Sequence, residues 1–213
     1  MSEARCDYAC ATCTTVASFR GDRSRMPEAC PTLTQSEIAA DISGYLEDEN
    51  QDIMQIADRT PFDAEGQKRN RVDELIMYAQ ELGYKRIGIA FCVSMIKEAQ
   101  ELVRRLEAAE LEARAVCCRV GAVDYEEIHL TKAHPERFAA ICNPIAQGKL
   151  LNEAEVDLTV QMGLCIGHDI LLQQNSKAPV TTLVVKDRAL DHKPILALRP
   201  GAKEPAAHSP SKS

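Results

Sequence analysis

The chain has no tryptophan, and aromatic residues make up only 4% of its 213 positions. A surface that stacks nucleic-acid bases needs aromatic faces beside basic side chains. Here 32 Asp and Glu outnumber 25 Lys and Arg, for a net charge of −7. No basic run breaks that balance, so nucleic acid is not an expected partner. No apolar stretch approaches the roughly 18 residues that a membrane span requires. The opening MSEARCDYAC shows neither the apolar core nor the cleavage site of a secretory leader. These absences lead to the expectation of a cytoplasmic protein without membrane association. Two phosphate-binding signatures are also missing: there is no GxGxxG after a strand-like run and no GxxxxGK[ST]. Neither dinucleotide nor P-loop nucleotide binding is indicated.

What the chain has in quantity is cysteine. There are nine: Cys6, Cys10, Cys13, Cys30, Cys92, Cys117, Cys118, Cys142 and Cys165. With 45% hydrophobic residues the chain can bury a full core and has no need of disulfide staples. In a reducing compartment, thiols at this density point to metal or redox chemistry.

The hydrophobic pattern divides the chain into a Cys-rich arm (1–33), an α/β domain (34–199) and a Pro-, Ala- and Ser-rich tail (200–213) expected to be disordered. The arm holds too little apolar material to fold by burial alone, which makes a metal core physically useful there. Thr34-Gln35-Ser36-Glu37 reads as a capping box opening a helix toward Arg59, with a break near Gly44. Val72, Leu75, Ile76, Ala79 and Leu82 recur at helical spacing before Gly83, a C′ glycine. RIGIAF (86–91) is a strand-type run, and Ile96, Ala99, Leu102, Val103 and Leu106 form a second helical stripe. A strand is expected over 113–118, and helix or loop over 123–138. Asn143-Pro144 caps a helix to about Asn152. Strands over 156–162 and 180–186 flank a short helix over 167–174, and 195–198 is a candidate fifth strand. Strands alternating with helices predict an α/β fold with an open, mainly parallel sheet and flanking helices.

Cys6, Cys10 and Cys13 form a CxxxCxxC triplet, with Cys30 as a fourth soft ligand. A close triplet with a distant fourth suits an iron–sulfur cluster better than a zinc ribbon, which shows two separated CxxC knuckles. A structural Zn2+ that folds the arm is the alternative. The same triplet marks radical enzymes that use S-adenosylmethionine, but these need a longer α/β barrel downstream. Cys10-Ala-Thr-Cys13 has thioredoxin-type spacing, yet no strand precedes it.

The remaining thiols are informative by position. In an open parallel sheet, ligands collect beyond the carboxyl ends of the strands. Cys92 ends the first expected strand and Cys117-Cys118 the second. Cys165 follows the third, and Cys142 precedes a capped helix. Strand alternation sends one of Cys117 and Cys118 toward the site, and Cys117 is taken as that one. Helix N-termini beside Cys92, Cys142 and Cys165 favour thiolates, so a second metal or cluster is expected on Cys92, Cys117 or Cys118, Cys142 and Cys165. One composite site drawing on both groups is the other arrangement. His168, in Gly167-His168-Asp169, is the candidate proton donor should an open iron act on a small substrate. Asp124 and Asp187 read equally well as turn residues. A thiol phosphatase loop is excluded because position 98, where an Arg is needed, is Glu98.

The segments ICNPIAQGKLLN (141–152), MGLCIGHD (162–169) and VVKDRALDHKP (184–194), with the N-terminal CxxxCxxC, resemble an uncharacterised Cys-rich family of anaerobic archaea and bacteria, domain of unknown function 1847. The resemblance implies a metal-binding protein with no established activity. It carries onto Cys6, Cys10, Cys13, Cys142, Cys165 and His168. Gly148 departs from it by interrupting a helix where a better helix former is expected. The expected cofactor is an iron–sulfur cluster of the [4Fe-4S] type, with Zn2+ as alternative, and the expected partner an electron-transfer protein or a small substrate.

Overall fold

The computed structural model describes residues 10–201, so Cys6 and the tail from residue 202 lie outside the described residues. The chain divides into two compact units, Met1–Gln55 and Ile56–Ser213.

In the first unit, 3-10 turns at Cys10–Thr12, Ala17–Arg20 and Arg23–Arg25 lead into two single-turn helices, α1 (Pro31–Thr34) and α2 (Ser36–Ala39). A 3-10 turn at Ser43–Leu46 precedes α3 (Asp48–Arg59), within which the division between units falls. The expected capping box is not made. Pro31, with its φ pre-set for a helix, starts α1 three residues earlier. Thr34 therefore ends α1, and its hydroxyl donates to the Cys30 carbonyl at 3.3 Å. The helix expected from Thr34 to Arg59 is broken into these short pieces. Among described residues 10–55, Ala17 alone is buried, so this unit has almost no apolar core.

The second unit is built the opposite way. Its elements are α4 (Arg71–Glu81), β1 (Arg86–Phe91), α5 (Ile96–Ala108), β2 (Glu112–Cys117), α6 (Pro144–Glu153), β3 (Leu158–Met162), α7 (Ile166–Asn175) and β4 (Val180–Val184). The four strands pair in parallel in the order β2-β1-β3-β4. This confirms the α/β class. Helices cover both faces of β1, which is why RIGIAF reads as an unbroken apolar run. Ile87, Ile89 and Phe91 pack with Leu75, Ala79, Leu102 and Leu106 from α4 and α5. Ala90, one step out of phase, joins Leu151 and Leu172 from α6 and α7 on the other side, together with Cys92 and Cys118.

The caps act as their residue types predict. Asn70 accepts from the N–H groups of Val72 and Asp73, and Asn143 from that of Ala146. Gly83 takes the left-handed conformation past α4. Gly148 is a packing requirement: a Cβ there would stand 2.9 Å from the Asn175 carbonyl oxygen, so the glycine lets α6 press against the end of α7. The candidate fifth strand is not one. Residues Pro194–Leu198 form a 3-10 helix, because Pro194 has no N–H for a strand ladder and its φ suits a helical start. Residues 123–138 hold only the 3-10 turn Tyr125–Ile128, closed by an Asp124–Glu127 capping box. No helix among the described residues is long and apolar enough to cross a membrane.

Candidate functional site

The chain reverses direction across the sheet between β1 and β3, which lead to β2 on one side and β4 on the other. The carboxyl ends flanking that point are where parallel sheets bind ligands. Cys92 follows β1 directly and lies at the head of the 3-10 turn leading into α5. Its Sγ accepts from Lys186 Nζ and from Ser94 Oγ, each at 3.3 Å, and Lys186 also donates to Ser94 Oγ at 2.8 Å. Burial pushes the Cys92 thiol up. Hydrogen bonds from Ser94 and Lys186, with the charge of Lys186, outweigh it and bring the thiol down to about 7.

Cys118 continues the β1–β2 ladder by one residue, its N–H donating to the Phe91 carbonyl at 2.9 Å. Its Sγ accepts the Val93 N–H at 3.3 Å. Burial pushes this thiol up to about 12, against the Val93 hydrogen bond and aided by the neighbouring Cys142 and Cys92. Cys142 is held beside it by the Asn143 N–H, which donates to the Cys118 carbonyl at 2.7 Å. Cys165 is the N-cap of α7, and its Sγ accepts from the Arg188 guanidinium at 3.3 Å. Cys118, rather than the expected Cys117, therefore meets Cys92 and Cys142. Cys117 is the last residue of β2, opposite Phe91. One position of strand alternation separates the two outcomes.

His168 lies in the first turn of α7, half-buried. Burial, then the charges of Arg119 and Arg188, push its imidazole pKa down. Asp169 beside it is raised to about 6 by burial, and its Oδ1 has no hydrogen-bond partner. Asp187 and Asp124 are turn-formers: Asp187 accepts from the Ala189 and Leu190 N–H groups, and Asp124 from those of Glu126 and Ala139. Sequence reasoning missed the cations. Lys186 and Arg188 flank Asp187 just past β4. Arg119 follows Cys118 and donates to the Ala140 carbonyl. Gln147 was missed as well: fully buried on α6, it donates to the Phe91 and Val116 carbonyls at 3.2 and 2.7 Å, tying the ends of β1 and β2 together.

In the first unit, Cys10, Cys13 and Cys30 line one cavity of about 450 Å³, with Val16, Ala17 and Ser18 among its walls. The Cys13 N–H donates to the Cys10 carbonyl at 3.2 Å, closing the turn that carries both thiols. Thr15 Oγ1 lies 3.4 Å from Cys13 Sγ. Hydrogen bonds from Thr15, and from the Val16 N–H, hold the Cys13 thiol below its ordinary range. The Thr32 hydroxyl and N–H do the same for Cys30, whose negative form is opposed by that of Cys13. Ser18 Oγ sits 4.0 Å from Cys30 Sγ and 3.2 Å from Thr32 Oγ1. Three thiols thus face one space, each of Cys13 and Cys30 with donors aimed at its sulfur. Cys6, the fourth expected ligand, lies outside the described residues.

A single tetrahedral metal ion with bonds of about 2.3 Å to sulfur needs thiolates about 4 Å apart. Among the described residues, no three His, Cys, Asp or Glu side chains are placed to hold one. A cluster takes one thiolate on each iron and accepts sulfurs standing farther apart.

The family model described as a protein of unknown function, DUF1847, matches residues 30–183. An uncharacterised protein of Methanocaldococcus jannaschii is 45% identical over 125 residues, 59% of this chain. The matched stretch spans 64% of that relative's length. The family match takes in Cys30, every thiol of the sheet edge and His168, while Cys10 and Cys13 precede it. With nearly the whole sheet domain inside the match, the chain belongs to the DUF1847 family.

Proposed function

We propose that the first unit holds an iron–sulfur cluster on Cys6, Cys10, Cys13 and Cys30, and that the protein works as a metal-thiolate protein. The observation that supports this reading is the cavity of about 450 Å³ lined by Cys10, Cys13 and Cys30 in a unit where Ala17 alone is buried among the described residues. Chain entropy costs about 1–2 kcal/mol per ordered residue, and one buried alanine offsets almost none of it. Ligand bonds to a metal centre supply the missing cohesion.

When bound, a cluster supplies one-electron chemistry. The chain's own residues hold and tune it. Thr15, Val16, Ser18 and Thr32 direct O–H and N–H groups at the sulfurs, and hydrogen bonds to ligand sulfur are a main control on cluster potential. The partner is then an electron-transfer protein or a small redox substrate. A second centre on Cys92, Cys118, Cys142 and Cys165 has less support, because Lys186 and Arg188 already balance the sulfurs of Cys92 and Cys165.

Protein purified without oxygen should be brown and contain about four iron and four acid-labile sulfide per chain. Colourless protein with one zinc would replace this reading by a structural zinc unit. About eight iron per chain would assign a second cluster to the sheet edge.

A further inference from the structure

The thiols of the sheet edge are arranged for chemistry of their own. We propose that Cys92 and Cys118 form a redox-active dithiol that reduces small disulfides, an activity that does not rest on the cluster reading.

The pair are neighbours by sheet register. Phe91 and Cys117 are paired across β1 and β2, and the Cys118 N–H to Phe91 carbonyl bond extends the ladder one residue further. Adjacent strands stand about 4.8 Å apart, inside the roughly 4.4–6.8 Å that a disulfide spans between Cα atoms. Both side chains belong to the same packed cluster with Ala90 and Leu172. Cys118 Sγ already leans toward the Cys92 loop, 3.3 Å from the N–H of Val93.

The two thiols are dressed for different roles. Cys92 retains 8% of its surface and Cys118 only 1%, so a substrate reaches Cys92 first. Lys186 Nζ and Ser94 Oγ both point hydrogen-bond donors at Cys92 Sγ, which stabilises a thiolate there. Cys118 has one backbone donor, from Val93, beside the thiols of Cys142 and Cys92, and burial keeps its proton on. An attacking thiolate beside a protonated resolving thiol is the arrangement that thiol–disulfide exchange needs.

The Cys92 thiolate attacks one sulfur of a disulfide RSSR, forming the mixed disulfide Cys92–S–SR and releasing RS⁻. The Cys118 proton passes to that departing thiolate, giving RSH. Cys118 sulfur then attacks Cys92 Sγ and expels the second RS⁻. One thiolate, one thiol and RSSR become the Cys92–Cys118 disulfide, RSH and RS⁻, so the disulfide is reduced and the pair oxidised.

The test uses the full chain, purified without oxygen, and a dipyridyl disulfide whose released thiopyridone absorbs light. The intact protein should show a fast phase of two thiopyridones per chain, with peptide mapping placing a new disulfide between Cys92 and Cys118. Cys118→Ser should release one in that phase and retain the mixed disulfide on Cys92. Cys92→Ser should abolish the phase, and Lys186→Met should slow it roughly tenfold at pH 7 and move its pH midpoint upward. A fast phase that survives Cys92→Ser, two equivalents released by Cys118→Ser, or a disulfide mapped to Cys118–Cys142 would overturn the proposal.

Discussion

The two groups of cysteines solve the problem of holding reactive sulfur in opposite ways. In the first unit the thiols of Cys10, Cys13 and Cys30 surround a cavity, and hydroxyl and backbone donors face them across a nearly coreless fold. At the sheet edge the scaffold comes first. Strands with Ile87, Ile89 and Val160 fully buried fix Cys92 and Cys118, and Lys186 and Arg188 supply positive charge at 3.3 Å. One unit gathers thiols around a cavity with little apolar core. The other is a fold that displays thiols.

The largest effects should come from breaking that contrast on the metal side. Cys13→Ser or Cys30→Ser should abolish iron binding and make the first unit sensitive to limited proteolysis, while the sheet unit keeps its melting transition. Loss of both together would make the two units one cooperative fold. On the other side, Leu106→Ala removes a fully buried side chain from the main core and should cost about 3 kcal/mol of sheet-unit stability. Denaturant melts of the second transition measure this, and iron content should not change.

Smaller effects sharpen the electrostatics of the edge. Lys186 and Ser94 bring the folded Cys92 thiol down to about 7, below the 9.0 of an unperturbed thiol. Its contribution to stability is therefore fully present above pH 9 and lost as pH falls through 7. After discounting for its partial exposure this amounts to about 1 kcal/mol, and Lys186→Met should flatten the stability profile over that window. Cys118, raised to about 12, has the opposite slope, with stability falling from pH 9 upward. Asp169, raised to about 6 by burial, makes stability fall between pH 4 and 6. Asp169→Asn should then raise the melting temperature at pH 7 by an amount equivalent to about 1 kcal/mol, with no gain at pH 4. An unchanged melting temperature at pH 7 would mean that the carboxylate finds water.

Much of the second unit was legible because its signals were local. RIGIAF matches β1 residue for residue, and Asn143-Pro144 and Gly83 mark helix ends where the structure has them. That Cys92, Cys142 and Cys165 lie near one sheet edge followed from topology, since every parallel strand delivers its carboxyl end to the same side. What failed depended on single-residue phase or on distant contacts. Cys117 and Cys118 differ by one step of alternation, and the cations that meet the thiols lie 94 positions away for Lys186 and Cys92, and 23 for Arg188 and Cys165. The Thr34 capping box failed because Pro31 began a helix earlier. Gly148 read as a helix weakness until the Asn175 carbonyl beside it came into view.

The central claim is that Cys10, Cys13 and Cys30 share a cluster with Cys6, and anaerobic iron and sulfide analysis of the intact chain beside Cys13→Ser tests it most directly. The account predicts about four iron and four sulfide in the first and none in the second. Iron that is absent from the intact chain, or retained in full after Cys13→Ser, would contradict it.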